Sequence, residues 1–338
     1  MNVFRSQAGI PASPFSSALG HVMRFGALPI VLVLCIIVFE VANPLFLSQS
    51  NLINLVVQCV FLMLISFGQM LVLISGGFDL SVGSVVALTS ILSSTAMVTV
   101  SGRLPTSPLL AIFAGFGVAI LTGIVAGLIN AFGVSVLRVN AFIVTLATTS
   151  IFSGITLVIS QGSEVTGLPN QYIYGIGSGF LFGVPVSVIF AIPALAIVYL
   201  LLHRMKFGRY IYAIGSNTKS ALVAGVSINR YLLFCYVICA VITAFAGWLL
   251  TARISSGEPL LGAEFPLNSI AAAVIGGCSL RGGEGRAIGV FLGVIFIIVL
   301  GNGMDLMHIG SNVQMIILGI VLVGAVVLDR YRAGIRKK

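Results

Sequence analysis

The sequence predicts an all-α membrane protein, a polytopic bundle of about ten transmembrane helices, and its composition carries this prediction. Hydrophobic residues make up 59% of the 338 residues, charged residues only 7%, and the mean hydropathy is +1.18. A soluble domain contains about 25% charged residues. Because so few charges cannot cover a surface that faces water, lipid is expected to be the main solvent.

Apolar runs of the length that crosses a bilayer, about 20 residues, define the spans. The eighth run is short, as in a re-entrant segment, which is tolerated only where protein or a watery cavity surrounds it. An eight-span arrangement, without the eighth run and one other, is the main alternative. The predicted spans are residues 28–47, 51–75, 80–100, 108–129, 141–160, 184–203, 231–252, 266–279, 286–304 and 312–329.

The basic residues orient these spans. With the N-terminus in the cytoplasm, fifteen of the seventeen Lys and Arg residues fall on cytoplasmic segments, and only Arg103 and Arg253 fall outside. Because cationic residues accumulate on the cytoplasmic side, both termini are expected there. The net charge of +9 lies in the breaks between apolar runs, which argues against nucleic-acid binding. We expect a cytoplasmic N-terminal segment 1–27, a transmembrane domain 28–329 and a basic cytoplasmic tail 330–338.

A single carboxylate between the second and third spans is the most informative local feature. Because an acid at this depth is costly in a bilayer, it must have a structural or transport role. Asp79 directly precedes a helix-like run, so its carboxylate is expected to accept the amide hydrogen of Ser81 or Val82 and to cap that helix. Capping is favoured over sugar contact or proton relay. The predicted structural or gate motif is Gly76, Gly77, Asp79, Ser81 and Gly83.

Three phrases, each at a span junction, carry a family resemblance. They are residues 75–84, residues 207–217 continuing to Val226, and residues 271–277 with 279–285 after them. In this order they resemble the membrane permease subunit of bacterial ABC importers for ribose, xylose, arabinose and similar monosaccharides. The chain departs from the family pattern at residues 264–268, where a Tyr-Glu-Leu-Asp phrase is common, and at residues 218–221, where acidic residues are usual.

The resemblance implies a set of partners and a location in the bacterial inner membrane. In that family two permeases, identical or paralogous, pair in the membrane above two cytoplasmic ATPase subunits, and a periplasmic or lipid-anchored protein delivers the sugar. This chain lacks the Gly-x-x-x-x-Gly-Lys-Ser/Thr phosphate loop. No enzymatic activity or cofactor is therefore expected for it, and ATP and Mg are expected on the partner ATPase. No catalytic constellation or metal-ligand spacing is apparent.

The long inner loop 204–230, with five cationic residues and no acid, is the predicted contact with the ATPase. Phe207 is an apolar anchor, Gly208 a flexible hinge, and a short helix is predicted to end at Gly225. These features suit the transfer of a rigid-body movement between subunits. The alternative is a loop that only fixes orientation and touches anionic lipid. The predicted coupling residues are Phe207, Gly208, Arg209, Gly215, Asn217, Ala221 and Gly225.

Polar residues within or near the spans are candidates for the sugar path, with an interhelical hydrogen bond as the alternative for each. They are Gln58, Gln69, Asn130, Asn140, Asn268 and Asn302. On the outer side, charged residues either dock the binding protein or are solvated loop charges. They are Glu164, Arg253, Glu258 and Glu264.

A faint internal repeat accompanies these motifs. Asn130 and Asn140 flank the junction of spans four and five, and Asn302 and Asn312 flank that of spans nine and ten at the same spacing. The offset of five spans is odd, so the two halves would be inverted, which is characteristic of transporters. The alternatives to an importer subunit are an ion-coupled secondary transporter of a small neutral solute, which would need intramembrane acids, and an intramembrane enzyme.

Overall fold

The computed structural model describes residues 28–335, and helices dominate this part of the chain. The predicted N-terminal segment 1–27 and the last three residues of the predicted basic tail lie outside the described residues. The helices are α1 Leu28–Ala42, α2 Gln49–Ile74, α3 Val82–Arg103, α4 Pro108–Ala131, α5 Ala141–Ser160, α6 Val186–His203, α7 Lys206–Ser216, α8 Thr218–Val223, α9 Ile228–Ile254, α10 Phe265–Ile275, α11 Ala287–Leu306 and α12 Ser311–Ile335.

Short irregular elements complete the fold. The π-helical segment Phe132–Val136 follows α4, and a second one, Gln171–Gly177, precedes a β-hairpin. That hairpin consists of β1 Phe180–Leu181 and β2 Val184–Pro185, which pair antiparallel. The predicted all-α polytopic class is therefore confirmed for the described chain, apart from this single two-residue ladder.

Seven of the described helices are long and apolar enough to cross a membrane: α2, α3, α4 with its π-helical extension, α5, α6, α9 and α11. The three remaining predicted spans are also helical, but their apolar helices, Leu28–Ala42, Phe265–Ile275 and Ser311–Gly324, are shorter. Each predicted apolar run thus forms a helix; the helices of the first and eighth runs are too short for a full-length span, whereas α12 continues to Ile335.

Helix α2 is the centre of the bundle. It packs against α6, α9, α10 and α11, and 89% of its most apolar stretch is buried. Gly68 of α2 lies against Cys239 of α9, and a methyl group added to Gly68 would lie 3.1 Å from the Cys239 Cα. Gly77, just beyond α2, lies against Tyr236. From the first of these contacts to the second, the residue number rises in the chain of α2 and falls in α9, so the two helices are antiparallel.

The eighth run crosses the bundle and does not return to the side it came from. Helix α9 ends at Ile254, opposite the end of α2 because those helices are antiparallel. The chain then runs through a loop to α10, which has only 11 residues. Beyond α10, the amide of Gly283 donates to the carbonyl of Ile74 over 2.8 Å at the end of α2. The loop before α10, the short helix and the loop after it together therefore cover the distance that one full helix covers elsewhere.

Glycine seams let two helix pairs approach closely. A Cβ at Gly123 would lie 2.7 Å from the Cα of Val241, and one at Gly127 would lie 2.5 Å from the Cα of Val237. On the other side of the bundle, Gly289 and Gly293 of α11 lie against backbone atoms of Gly276 and Ala272. These glycines therefore pack inside the subunit, as small residues at transmembrane helix interfaces commonly do.

Candidate functional site

A break in the chain follows α2, and its glycines explain it. Gly76 has φ of +86°, a conformation that favours glycine. The Gly76 amide donates to the Leu73 carbonyl and the Gly77 amide to the Val72 carbonyl, both over 2.9 Å, which is the Schellman ending of a helix. The Tyr236 hydroxyl donates to the Phe78 carbonyl over 3.2 Å. The helix is thus ended locally and the following chain is held by α9.

Asp79 lies in this break, buried with 1% of its surface exposed. Its Oδ1 accepts the amide of Ser81 over 2.9 Å and the hydroxyl of Ser81 over 2.6 Å. The hydrogen bond predicted from the Ser81 amide is therefore present, but Asp79 does not cap α3 as predicted: the residue before the helix is Ser81, which makes no side-chain capping hydrogen bond. Asp79 holds the turn through Ser81, because Ser81 occupies the residue position immediately before the helix.

Asn130 extends this cluster to two more helices. Its Nδ2 donates to the Ser81 hydroxyl over 2.8 Å and lies 3.5 Å from both carboxylate oxygens of Asp79. Its Oδ1 accepts the hydroxyl of Thr148 in α5 over 2.7 Å. We call Asp79, Ser81, Asn130 and Thr148 the Asp79 network. All four residues are buried, so the network ties the break before α3 to α4 and α5.

The N-terminal ends of α3 and α10 meet in the bundle. A Cβ at Gly83, in the first turn of α3, would lie 2.5 Å from the Gly262 carbonyl oxygen and 3.0 Å from Cδ of Pro266 in α10. Gly83 therefore permits this approach. Helix N-termini carry partial positive charge, and interrupted helices whose ends meet inside the membrane are a feature of transporter binding sites.

Helix α7 is fastened to the end of α2 and to the loop after α10. Gly215 lies against the Ile74 carbonyl oxygen and the Gly283 amide, with no room for a side chain. The Tyr212 hydroxyl donates to the Gly285 carbonyl over 2.7 Å. Burial raises the pKa of Tyr212 from its ordinary value near 10 to about 12, so the hydroxyl remains a donor well above neutral pH. A displacement of α7 would therefore act directly on α2 and on the 276–286 loop.

Helix α8 is a well-defined unit despite its six residues. The Asn217 Oδ1 accepts the Ser220 amide over 3.0 Å at its start. At its end Gly225 has φ of +78°, and the Val226 amide donates to the Ala221 carbonyl over 3.0 Å. Ala221, Val226 and Ile214 of α7 form a small buried cluster. The predicted short helix ending at Gly225 is therefore confirmed.

The other predicted residues of this loop divide by exposure. Phe207 and Gly208 are buried, the latter against the Leu202 backbone, whereas Arg209 is exposed. The exposed surface of α8 includes two apolar side chains that we did not predict: Leu222 is 62% exposed and Val223 is 90% exposed. The loop contains other apolar residues, such as Ala221 and Val226, that are buried, so the sequence alone does not distinguish these two as exposed.

The polar candidates for a path have different environments. Asn302 exchanges two hydrogen bonds with Asn51, of 2.8 and 3.0 Å, between α11 and α2. Asn140 is exposed and its Oδ1 accepts the Phe142 amide at the start of α5. Gln58 and Asn268 are partly buried. Gln69 is fully buried in α2 with neither amide atom hydrogen-bonded.

Two of the four charged residues predicted to dock the binding protein come from segments that the fold joins. Val165 and Gly257 exchange backbone hydrogen bonds of 2.9 Å, which places the segment of Glu164 beside that of Glu258. Glu164, Arg253 and Glu264 are exposed, and Glu258 is partly buried, with its amide donating to the Ser90 hydroxyl over 3.1 Å. Among the described residues, no group of three or more His, Cys, Asp or Glu side chains is placed to hold a metal ion.

Comparison with known proteins identifies the family. Residues 51–326 match the family described as the branched-chain amino acid transport system / permease component. The ribose import permease protein RbsC of Bacillus subtilis is 40% identical, over 89% of this chain and 91% of its own length. The Escherichia coli D-allose transport system permease protein AlsC is 34% identical, over 91% of both chains. The E. coli L-arabinose transport system permease protein AraH is 33% identical, over 98% of this chain and 97% of its own.

The chain therefore belongs to this family of transport-system permeases, and it is a transport subunit and not an enzyme. The resemblance to monosaccharide importer permeases is confirmed, since the relatives named above carry ribose, allose and arabinose in their names. No solved structure matches the chain.

Proposed function

We propose that this chain is the membrane-spanning permease subunit of an ABC importer that carries a monosaccharide or related small polyol across a bacterial inner membrane. The single observation that carries this proposal is the α7–α8 unit, an exposed apolar projection fastened by Gly215 and Tyr212 to the central helix and the loop after α10. The sugar relatives support the cargo class. Both termini are cytoplasmic in this proposal, as the basic residues indicate.

The partner ATPase binds the α7–α8 unit and supplies the force. Leu222 and Val223 present apolar surface that a groove on the ATPase would cover, as grooves cover the apolar faces of short helices. Lys219 and Arg209 are exposed in the same unit and suit an acidic rim. ATP and Mg bind on the ATPase, and its closure moves α7 and hence α2. A second copy or a paralogue of this chain completes the pore.

Alternating access proceeds, in this proposal, around the meeting point of α3 and α10. Gln69 supports a polar route beside the central helix. Leaving a buried amide without a hydrogen bond costs about 1–3 kcal/mol of folding free energy. The Gln69 amide has no partner here, so we expect it to find one in another conformation of the transporter or in a polyol that passes. Gln58 and Asn268 remain predicted members of that route. Asn130, Asn140 and Asn302 already have structural partners.

Ten spans arranged as an inverted repeat are the architecture we infer, and the packing supports it. Helices α2, α3, α4 and α5 would correspond to α9, α10, α11 and α12. The contact between α2 and α11 is then equivalent, in the other half, to the contact between α9 and α4. The contact between α2 and α10 is likewise equivalent to the contact between α9 and α3. Likewise α3 contacts both α4 and α5, as α10 contacts both α11 and α12. The offset of five spans makes the halves opposite in orientation.

The sugar-binding protein docks, in this proposal, on the outer face that carries Glu164, Arg253, Glu258 and Glu264. The Val165–Gly257 bridge joins the two loops that carry Glu164 and Glu258, so docking would act on the loop leading into α10. The binding protein could be periplasmic or lipid-anchored. Charges on such a rim mainly steer association and set its salt dependence.

Replacing Val223 by aspartate tests the coupling role. Because a carboxylate would enter an apolar contact, sugar uptake is expected to fall about tenfold or more, while membrane abundance is unchanged since Val223 makes no core contacts. Uptake by vesicles containing the assembled importer and co-purification of the ATPase measure this. The control is Asn229→Asp, which adds the same charge to an exposed site in the first turn of α9. Equal uptake by the parent and the Val223 variant would refute the coupling role.

A further inference from the structure

The outer segment before α6 has an unusual composition. From residue 165 to residue 202 there is no Asp, Glu, Lys or Arg. The β1–β2 hairpin lies within this stretch and leads directly into α6 at Val186. A loop that only faces water would be expected to carry charge, as the preceding residue Glu164 does.

The hairpin tip is built around an aromatic residue in a conformation that it rarely adopts. Phe182 has φ of +53° and Gly183 has φ of +77°, between the paired residues Leu181 and Val184. Positive φ at both central positions is the requirement of a type I′ turn, for which Asn-Gly is the preferred sequence. A bulky side chain held at such a position is a reason to look for a function.

The side chains of the hairpin are not covered by the rest of the described chain. Phe182 is 95% exposed, Phe180 56% and Leu181 49%. Phe180 and Leu181 point to opposite faces of their strand, so neither face of the hairpin packs on a core. Exposed apolar groups gathered in one place mark a site of protein or membrane contact.

We propose that the 180–185 hairpin inserts its tip into the outer leaflet of the membrane and anchors the outer end of α6 there. The argument for lipid is continuity: α6 follows at once, and only 22% of its apolar stretch is covered by the rest of the chain, the smallest share among the long helices described. The outer end of such a helix lies at the membrane interface, where Phe side chains bind favourably.

The absence of charged residues in the hairpin favours lipid over a soluble protein as its partner. The Arg253 backbone lies near Gly177, three residues before β1, but the hairpin itself carries no charge with which to steer or orient a soluble partner. The hairpin and the α7–α8 unit lie at opposite ends of α6. The anchor therefore holds one end of α6 while the other end leads into the helix that the proposed ATPase would move.

Tryptophan fluorescence tests the anchor directly. The chain has one tryptophan, Trp248, which is buried and gives a constant background. The Phe182→Trp and Phe180→Trp chains are reconstituted in phosphatidylcholine vesicles, with and without bromine on the acyl chains near the headgroup. We expect the added emission to be blue-shifted and to lose at least half its intensity in brominated vesicles. Thr166→Trp, an exposed site in the same outer segment, is the matched control and should emit as an indole in water.

Three results would overturn the proposal. Emission from both variants like that of the Thr166 control, without quenching, would place the tip in water. A blue shift that arises only when the sugar-binding protein is added would assign the hairpin to that partner. Blue-shifted emission that brominated lipid does not quench would place the tip against protein, such as a second copy of this chain. None of these results depends on sugar uptake, so the test is independent of the proposed cargo.

Discussion

Replacing Asp79 by leucine is expected to abolish sugar uptake, whereas Asp79→Asn retains most of it. Leucine removes the acceptor for the Ser81 amide and hydroxyl and leaves Asn130 beside an apolar group. Each orphaned buried donor costs about 1–3 kcal/mol, and two or more such losses at the start of α3 exceed what a membrane bundle can absorb. Asparagine keeps an acceptor oxygen at the same position, so the hydrogen bonds from the Ser81 amide and hydroxyl can be retained.

The two variants are measured together, by uptake in reconstituted vesicles and by the thermal stability of the purified chain. We expect the leucine variant to lose both stability and uptake, and the asparagine variant to stay near the parent in both. Thr148→Val is a milder test of the same network, because it removes the donor to Asn130 at the far end. Complete loss of uptake in a stable Asp79→Asn chain would mean that the charge itself acts in transport, contrary to the structural role argued above.

Enlarging Gly127 to leucine is expected to prevent the bundle from assembling. A Cβ at this position already lies 2.5 Å from the Cα of Val237, so the obstacle is backbone that cannot rotate away. Overpacking a core typically costs about 1–3 kcal/mol, and displacement of α4 from α9 would exceed that, since this helix pair is a principal contact of the fold. Membrane abundance and a monodisperse chromatographic profile in detergent are the measurements.

The matched control lies on the same helix. Gly117 has no neighbouring atom within 4 Å of an added Cβ and is exposed. Gly117→Leu is therefore expected to leave abundance and profile unchanged, although the substitution is identical. If Gly127→Leu accumulated as a stable, monodisperse chain, the close α4–α9 contact would be wrong.

Local features of the site could be predicted from the sequence because they depend on neighbouring residues. Glycines before Asp79 and a serine two residues after it specify a helix ending, a turn and an acceptor for the Ser81 amide within a few positions. Asn217 and Gly225 likewise mark the start and end of α8. These elements satisfy their hydrogen bonds locally, so their chemistry is visible in the chain itself.

Long-range partners could not be predicted in the same way. Asn130 is 49 residues from Ser81 and 18 from Thr148, and nothing in its own segment distinguishes a network member from a path residue. The approach of Gly83 to Gly262 likewise depends on how α10 is placed. The eighth run was predicted to be short, but its passage across the bundle follows from the contact of Gly283 with Ile74, which tertiary packing alone creates.

In the proposed function, force from the ATPase reaches a passive gate through α7 and α8. Uptake of radiolabelled ribose, allose and arabinose into vesicles that contain the permease, its ATPase and its sugar-binding protein tests this most directly. We expect at least one of these sugars to be taken up. This uptake should require ATP on the side of the vesicle membrane where the ATPase is bound, continue in the presence of a protonophore, and stop when the ATPase is omitted. Uphill uptake by the permease alone on a proton or sodium gradient would contradict it.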